Sequence, residues 1–415
     1  MSLIAVVSAT FSHADEIVHG VLERTGFPLI TDDDLVRRAA EHSGMSDSTI
    51  ARAFSSRRSV FNSFTRDRER AVAHLKLEVA EAIARDEVVI AGFSALLVPA
   101  AVSHALRVCL VADTKSRLGL AQEAEGLGDK AAQREIRRAD EDLAAWVKDQ
   151  LGCDDPWRAS LYDIVLPTDK TPLEQAVDLI IGSLGKEAVQ PTGASSQAVE
   201  DFLVAARVEQ ALAGAGHHVD VACEGGQVTL TINKHVLMLG RLEDELKEIA
   251  GPVAGVSSVE TRVGKEFYQT DIYRKVDFET PSRVLLVDDE REFVQTLSER
   301  LEMRDVGSAV AYDGESALQM VKEDEPDVMI LDLKMPGIDG IEVLRRVKQT
   351  NPHIEVIILT GHGSDEDCKT CMELGAFAYL QKPVDIEALS ETLAKANEKA
   401  RESARHRQRK DEQGP

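Results

Sequence analysis

The sequence has few cysteines, few aromatic residues and no long apolar run. Its five cysteines are an odd number without paired spacing, which argues against a disulfide scaffold. Aromatic residues make up only 4%, so the cores have to be formed by Ala, Val and Leu. The longest apolar run, from Val88 to Val102, is interrupted by Pro99 and falls short of a membrane span. The N-terminal residues lack the basic segment of a signal peptide, and we therefore expect a cytoplasmic protein.

Acidic residues outnumber basic ones, with 72 Asp and Glu against 48 Lys and Arg. The net charge of −24 argues against a large nucleic-acid surface, and we expect no DNA partner. A chain of 415 residues is too long for a single core. Length and composition together predict a protein of two to four domains.

Near the C-terminus, four short apolar segments each end in polar residues. The segments 283–287, 328–331, 356–359 and 378–380 have the length and apolar content of strands that are buried on both faces. The carboxyl ends of parallel strands meet at one edge of an open α/β sheet. The polar residues expected at this edge are Asp288, Asp289, Asp332, Thr360 and Lys382.

Carboxylates, a hydroxyl and an ammonium group gathered at one sheet edge are costly unless they bind something together. Clustered carboxylates suit Mg²⁺, a hard ion that prefers oxygen ligands and can bridge to a phosphate. Mg²⁺ and Lys382 would neutralise a transferring phosphoryl group, and Asp332 would be its nucleophile. The pattern therefore indicates a phosphoryl-transfer site.

Residues 281–400 resemble a response-regulator receiver domain. The resemblance rests on Asp288-Asp289, on Asp332 with the Lys-Met-Pro-Gly-x-x-Gly turn that follows it, on Thr360-Gly361, and on Tyr379 before Lys382-Pro383. It implies a flavodoxin-like (βα)5 fold, and sensor histidine kinases or phosphotransfer proteins as partners. A homodimer through this domain is a further implied association.

The resemblance also implies a role for each matching residue. Asp332 would be the phospho-acceptor, and Mg²⁺ would be held by Asp288, Asp289, Asp332 and the main-chain carbonyl of Lys334. Lys382 and Thr360 would contact the phosphoryl group, and Thr360 and Tyr379 would form the switch pair. The Lys382–Pro383 peptide bond is expected to be cis, which bonds before proline tolerate cheaply.

In the first 186 residues, strand-like segments alternate with helical ones, which indicates a parallel, doubly wound domain. The strands are expected at 3–7, 29–30, 88–92, 106–111 and 163–166, and a long helical region is expected at 113–151. The loop after the first strand, residues 8–16, lies where a phosphate-binding loop would lie. It contains neither glycine nor lysine, and main-chain amides crowded by side chains cradle phosphates poorly.

Residues 2–185 resemble the cytidylate kinase-like family through the first strand, residues 28–35, the strand that ends at Gly92, and residues 161–169. This sequence has Gly92-Phe93 where the family has Gly-Arg, and Asp140-Glu141-Asp142 where the family's lid has cations. Arg117 is retained, as are Arg134, Arg137 and Arg138. Because phosphoryl transfer needs positive charge around the phosphates, we expect a catalytically inactive domain, with no nucleotide-binding residues assigned.

The segment 198–264 has the pattern of an α-β-β-α-β module. Alternating strands at 217–222 and 227–232 flank the turn Glu224-Gly225-Gly226, and a helix at 236–250 and a strand at 256–263 follow. The segment resembles a BON-type domain, carried by Gly226-Gln227-Val228-Thr229-Leu230 and Gly255-Val256-x-x-Val259. That family is often linked to phospholipid surfaces, but this copy has no obvious basic or aromatic face, which favours a structural adaptor.

The sequence thus predicts an α/β multidomain protein. Its parts are a degenerate cytidylate kinase-like domain with a P-loop-kinase-like parallel sheet (1–186), a linker (187–197), a BON-type domain (198–264), a connector (265–281), a receiver (282–400) and a charged tail (401–415). Phe267, Tyr268, Ile272 and Tyr273 in the connector are expected to pack and to relay the state of the receiver.

The predicted function is a phosphorelay response regulator whose N-terminal modules act by protein interaction or nucleotide sensing. No enzymatic activity is expected beyond phosphorylation and dephosphorylation of the receiver. An active nucleoside monophosphate kinase regulated by its receiver is an alternative. A membrane-surface adaptor acting through the BON-type domain is another.

Overall fold

The computed structural model describes residues 3–57, 59–85, 87–234, 236, 238–265, 267, 283–302, 306–361 and 364–411, and only the backbone of 63, 64, 302, 401 and 404–411. Contacts divide the chain into two compact units. The N-terminal unit comprises Met1–Arg58 and Asp67–Lys275, and the C-terminal unit comprises Ser59–Arg66 and Val276–Pro415. In the connector, Tyr268, Ile272 and Tyr273 lie outside the described residues, whereas Phe267 is buried.

The N-terminal unit is built on a parallel five-stranded sheet. Its strands are β1 (Leu3–Ser8), β2 (Leu29–Thr31), β3 (Val88–Ala91), β4 (Ala105–Val111) and β5 (Ile164–Pro167), in the spatial order β2-β3-β1-β4-β5. The side chains of β1 alternate between two apolar layers. Leu3, Ala5 and Val7 join the core on one face, and Ile4 and Val6 join the core on the other. A central strand covered on both faces explains why its sequence is continuously apolar.

Helices cover both faces of this sheet. In chain order they are α1 (Ala14–Thr25), α2 (Asp32–Ser43), α3 (Asp47–Ala51), α5 (Asp67–Ile83), α6 (Thr114–Glu125), α7 (Asp129–Leu151) and α8 (Leu173–Leu184). The short helix α4 (Asn62–Thr65), between α3 and α5 in the sequence, belongs to the C-terminal unit instead. The predicted helical region 113–151 is two helices, because Gly126 is left-handed (φ 65°) and ends α6.

The α-β-β-α-β pattern of the middle segment is confirmed. The elements are α9 (Gly193–Gly214), β6 (Asp220–Glu224), β7 (Gln227–Ile232), α10 (Leu239–Ala250) and β8 (Ser258–Val263), with β7 in the centre, antiparallel to β6 and parallel to β8. Helix α9 begins at Gly193, inside the predicted linker. Thr192 caps it by accepting a hydrogen bond from the amide of Ser195, so the polar sequence there starts a helix.

Helix α9 packs against α5, so the middle module is continuous with the N-terminal sheet domain. Val199 of α9 joins the apolar core on one face of the five-stranded sheet, and Phe202 packs against that core. At the edge of this contact, Lys76 Nζ donates to both carboxylate oxygens of Glu209, at 2.8 and 3.0 Å. The two modules therefore share a buried interface within one unit.

The C-terminal unit has its own parallel sheet. Its strands are β9 (Val284–Val287), β10 (Ser308–Ala311), β11 (Val328–Leu331), β12 (Glu355–Thr360) and β13 (Ala378–Gln381), in the order β10-β9-β11-β12-β13. Its helices are α11 (Arg291–Glu302), α12 (Gly314–Glu323), α13 (Gly340–Thr350), α14 (Asp365–Glu373) and α15 (Ile386–Asp411). Helix α15 continues past residue 400 as far as Asp411, through a run of helix-favouring residues, and so extends into the segment predicted as a charged tail.

The C-terminal unit also contains a segment from much earlier in the chain. Residues Ser59–Arg66, which include α4, belong to this unit rather than to the sequence that flanks them. Phe61 has no exposed surface and is part of the apolar cluster on one face of the C-terminal sheet. Nothing in the local sequence predicted this placement.

Among the helices described, none is long and apolar enough to cross a membrane.

His74 makes the stability of the N-terminal unit dependent on pH. Its side chain is buried on α5, and burial, followed by the nearby charges of Arg70 and His42, lowers its pKa from 6.5 to about 4. Between these two values the unfolded chain binds a proton that the folded chain does not. The free energy of unfolding should therefore fall as the pH drops from 6.5 to about 4, by about 2 kcal/mol after allowance for solvent screening.

Urea denaturation followed by tryptophan fluorescence measures this effect, since both tryptophans, Trp146 and Trp157, lie in the N-terminal unit. The variant His74→Gln has no ionisable group at this position and should lose less stability than the wild type on acidification. An equal loss in both proteins would show that His74 is not responsible.

Candidate functional site

Asp288 and Asp332 lie side by side because they follow paired strands. The register of β9 and β11 places Val287 opposite Leu331, so the next residue of each strand falls at the same edge. The amide of Asp332 donates to the carbonyl of Val287 at 2.9 Å, and the amide of Asp288 donates to the carbonyl of Ala311 at 3.2 Å. These bonds fix the backbone beneath both carboxylates.

The carboxylates of Asp288, Asp289 and Asp332 form one cluster. One oxygen atom from each lies within 4.8 Å of the others. Asp288 and Asp332 are buried, and Asp332 Oδ1 is a buried atom without a hydrogen-bond partner among the described residues. An orphaned, buried carboxylate oxygen beside two further carboxylates fits a small divalent cation, which needs oxygen ligands at short range.

Lys382 supplies positive charge next to these carboxylates. Its Nζ donates to Asp288 Oδ2 at 2.5 Å and to Glu290 Oε1 at 3.1 Å, and it lies 4.3 Å from the centre of the Phe293 ring. Burial lowers the pKa of Lys382, but the hydrogen bond and charge of Asp288 outweigh burial, so that this pKa lies above its usual value. Lys382 is therefore a fixed cation at the sheet edge.

Burial raises the pKa of Asp288 above its usual value, and the hydrogen bond from Lys382 opposes only part of this shift. The charge of Asp332 acts in the same direction as burial. The site of Asp288 thus disfavours the negative charge of this carboxylate, which favours the binding of a cation beside it.

Thr360 and Tyr379 lie on the two strands that complete this edge. Thr360 ends β12 and is 1% exposed, and its carbonyl accepts a hydrogen bond from the amide of Lys382 at 2.9 Å. Tyr379 packs against the apolar cluster that contains Leu331, and its hydroxyl is buried without a partner among the described residues. The peptide bond between Lys382 and Pro383 is cis, as the resemblance implies.

The turn after Asp332 returns the chain to the sheet at a position that requires glycine. The amide of Gly340 donates to the carbonyl of Leu333 at 2.9 Å. A Cβ atom on Gly340 would lie 2.1 Å from the carbonyl oxygen of Asp332. Asp339 caps α13 by accepting a hydrogen bond from the amide of Glu342 at 2.8 Å. The side chain of Lys334 is exposed in this turn, two residues after Asp332.

In the N-terminal unit, hydrogen bonds to β4 and within the loop fix the conformation of the loop after β1. The amide of Ala9 donates to the carbonyl of Leu110 at 2.8 Å, and Ser12 Oγ donates to the carbonyl of Ala9 at 2.6 Å. Phe11 and His13 are left-handed, with φ values of 57° and 55°, although neither is glycine. The loop thus has side chains at the positions where a phosphate-binding loop approaches its ligand with bare backbone.

Arg117 is held by an internal acid. Its Nε donates to the carbonyl of Thr10 at 2.7 Å, and its two terminal nitrogens donate to the two carboxylate oxygens of Asp140 at 2.9 and 2.8 Å. Asp142 accepts hydrogen bonds from the amide and the hydroxyl of Ser56. Two of the acids that replace the family's cations therefore stabilise the fold.

The other residues compared with the cytidylate kinase-like family either stabilise the fold or lie exposed on a helix. Asp32 accepts hydrogen bonds from the amides of Phe93 and Ser94, at 2.7 and 2.9 Å, and a Cβ atom on Gly92 would lie 2.2 Å from its carboxylate. The pair Gly92-Phe93 thus anchors the backbone at the end of β3. Exposed positions on α7 hold the other three retained arginines, Arg134, Arg137 and Arg138.

A cavity of about 290 Å³ lies at the carboxyl edge of the N-terminal sheet. Its lining includes His13, Ser116, Glu123, Thr168 and Asp169. Lys and Arg are absent from the lining in the part of the chain that the structure describes. Two carboxylates and one imidazole make this cavity a poor host for a triphosphate, which needs concentrated positive charge.

Comparisons with known proteins give a separate family match for the N-terminal and the C-terminal part of the chain. Residues 3–170 match the model of the cytidylate kinase-like family, and residues 284–394 match the model of the response regulator receiver domain. Sporulation initiation phosphotransferase F of Bacillus subtilis is 35% identical over 113 residues, which are 27% of this chain and 91% of that protein. The chain belongs to the response-regulator receiver family. The receiver accounts for the C-terminal quarter of the sequence.

Two further relatives match this chain over a similar length. The transcriptional regulatory protein CpxR of Escherichia coli is 43% identical over 108 residues, and response regulator MprA of Mycobacterium avium is 36% identical over 107 residues. In each case the match covers 26% of this chain, and the chain spans about half the length of the relative (46% and 47%). A receiver domain structure from Clostridium thermocellum is 36% identical, with 28% of this chain and 95% of that chain covered and a TM-score of 0.28.

Sequence reasoning missed two participants in the receiver site, Glu290 and Phe293, which both contact Lys382. Gly340 ends the Lys-Met-Pro-Gly-x-x-Gly turn that carries the resemblance, and the structure adds that it allows the turn to close on the carbonyl of Asp332. Glu290 follows Asp289 directly, and Phe293 comes three residues later at the start of a helix. Their closeness in sequence to Asp288 and Asp289 could have identified them as neighbours of the site. The need for glycine at Gly340 depends on a contact that only the folded turn creates.

Proposed function

We propose that this protein is a two-component response regulator that accepts a phosphoryl group on Asp332 from a sensor histidine kinase or a phosphotransfer protein. The observation that carries the proposal is the buried Oδ1 of Asp332, which has no hydrogen-bond partner among the described residues and lies in a cluster with two further carboxylates, one of them paired with the cation Lys382. In the transfer, an Asp332 oxygen forms a bond to phosphorus while the bond from phosphorus to the donor breaks. The edge of the sheet orients Asp332 for this attack.

Each residue at the edge has a proposed part. Asp288, Asp289, Asp332 and the main-chain carbonyl of Lys334 would hold Mg²⁺, which neutralises phosphoryl charge when bound. Lys382 and Thr360 would contact the phosphoryl oxygens. Thr360 and Tyr379 would form the switch pair, whose side chains move together when a phosphoryl group is added. Thr360 is buried, and Tyr379 is half-buried with a buried hydroxyl, which supports this role because a change at either one must repack its neighbours.

The experiment that tests this function is intact mass spectrometry of the full-length protein after incubation with acetyl phosphate. We expect one phosphoryl adduct with Mg²⁺ and none when a chelator removes the metal. A folded wild-type protein that gains no adduct in the presence of Mg²⁺ would contradict the proposal, and the protein would then be better sought as a scaffold.

Lys382 should accelerate phosphorylation without being essential for folding. Lys382→Met keeps an unbranched apolar side chain beside Phe293, whose ring Lys382 Nζ faces, and removes the charge. We expect adduct formation to slow by about 100-fold, since fixed charge at a developing transition state has effects of this order. The rate is measured by mass spectrometry over time. Lys369→Met, on the exposed face of α14, is the control and should react at the wild-type rate.

For the N-terminal unit we propose a catalytically inactive kinase-like fold that acts by protein interaction. The pairing of Arg117 with Asp140 and the closed loop after β1 support this role. The α-β-β-α-β module is proposed to be a BON-type adaptor, supported by its strand order.

Two assays separate this reading from the alternatives. Phosphorylation of a nucleoside monophosphate by the purified protein would reveal an active kinase. Sedimentation with anionic liposomes would reveal a membrane-surface adaptor.

A further inference from the structure

Residues 59–66 contribute a buried anchor to the receiver although they lie within the span of the kinase-like match. Phe61 has no exposed surface, whereas its neighbour Val60 is 45% exposed. Phe61 belongs to the receiver cluster that includes Leu285, Val321 and Met329. The segment therefore buries the side chain of Phe61 in the receiver and leaves that of Val60 largely exposed.

Polar contacts order the same segment. Ser59 Oγ donates to the carboxylate of Asp324, a buried residue at the end of α12, and also accepts a hydrogen bond from the amide of Phe61 at 3.1 Å. The amide of Thr65 donates to the carbonyl of Phe61 at 3.0 Å, which closes the single turn of α4. Thr65 is 2% exposed. The segment has a defined conformation on the receiver.

The part of the chain that matches other receiver domains does not include this segment. The receiver model matches residues 284–394 alone, and the Bacillus subtilis relative is matched over 91% of its length by 113 residues of this chain. Residues 59–66 are thus an addition to an otherwise complete domain. An added, well-packed segment from elsewhere in the chain is an intramolecular ligand for the receiver surface.

The cluster that holds Phe61 also reaches the phosphorylation site. It includes Leu331 and Leu333, the neighbours of Asp332 on either side, and Tyr379 packs against it. Packed cores have discrete arrangements, so a rearrangement at one end of such a cluster changes the packing at the other. A segment bound to this cluster can therefore respond to the state of Asp332.

We propose that residues 59–66 are a docking segment for the receiver and that phosphorylation of Asp332 weakens its binding. The second part rests on the proposed function. The segment is docked in the unmodified chain, and the repacking that follows phosphorylation alters the cluster to which Phe61 is fitted. Release of the segment would transmit the signal to the flanking helices through the continuous chain, because Asp67 begins α5 directly after it.

Hydrogen–deuterium exchange of the full-length protein tests the docking. In Phe61→Ala we expect exchange at the amides of residues 62–66 and of α12 to be about tenfold faster or more, since Phe61 holds the single turn of α4 on the receiver and packs in the same cluster as Ala317 and Val321 of α12. Val60→Ala is the matched control and should exchange as the wild type does. Phe61→Leu should restore most of the protection. Unchanged exchange in Phe61→Ala, with β9 and β12 still protected, would overturn the docking.

The dependence on phosphorylation is tested in the same instrument with acetyl phosphate and Mg²⁺. We expect exchange at residues 62–66 to rise at least threefold in the wild type and to stay constant in Asp332→Asn. Unchanged or slower exchange in a sample whose intact mass shows the adduct would overturn the coupling and leave the proposed function standing. Absence of the adduct would overturn the proposed function and the coupling together, while the Phe61 variants would still decide the docking.

Discussion

Asp332→Asn should abolish the phosphoryl adduct that acetyl phosphate forms on the wild-type protein. The amide retains the size and shape of the side chain but cannot form an acyl phosphate, since it lacks the anionic oxygen that attacks phosphorus. The buried Oδ1 of Asp332 has no hydrogen-bond partner among the described residues, whereas Asp288 is already bonded to Lys382, and this difference supports Asp332 as the acceptor. The measurement is intact mass after reaction to completion.

A neighbouring acid gives the control for this prediction. Asp339 lies at the end of the same turn, where its carboxylate caps α13. Asparagine caps helices about as well as aspartate, so Asp339→Asn should fold normally and gain the full adduct. If Asp332→Asn were still phosphorylated to the extent of Asp339→Asn, another residue would be the acceptor.

Gly340→Ala should destabilise the receiver by about 3 kcal/mol or more. The new Cβ would lie 2.1 Å from the carbonyl oxygen of Asp332 and 2.7 Å from the Cα of Leu333, and both are backbone atoms that cannot rotate away. The turn would have to move as a whole, and with it the backbone of the phospho-acceptor. Urea denaturation followed by circular dichroism measures the loss, and tryptophan fluorescence, which reports the N-terminal unit, should not change.

The variant Gly337→Ala distinguishes the effect of this steric clash from the effect of a left-handed backbone conformation. Gly337 is left-handed (φ 84°), and a Cβ there would meet nothing within 4 Å. Only conformational strain applies, so this variant should lose about 1–2 kcal/mol. Equal losses in the two variants would show that the contact with the carbonyl of Asp332 is not the cause.

The residues at the receiver edge could be predicted because their position follows from local patterns. Each apolar segment ends at a polar residue, and parallel pairing alone brings those ends together, as the opposed pair Val287 and Leu331 shows. The same logic predicted the central strand β1, whose alternate side chains enter two cores. The strands and their carboxyl ends are indicated by period and length, and both can be read from the sequence.

The features that could not be predicted depend on contacts between distant residues. Gly193 begins a helix because Thr192 caps it, and because Val199 finds a core to enter. Asp140 looked like a loss of function, and its pairing with Arg117 became visible only when the two helices were packed. Phe61 lies among helical residues, and its sequence neighbours do not indicate that it belongs to a domain that begins more than two hundred residues later.

The separation of Phe61 from the rest of its cluster affects how the protein is made. A ribosome completes residues 59–66 long before it reaches the strands that surround them, so this part of the receiver waits for its partners during synthesis. Closing a loop of this length adds to the entropy that folding must overcome and places the contact among the slow, non-local ones. A fragment that begins at residue 283 would leave the place of Phe61 empty and would present apolar surface to the solvent.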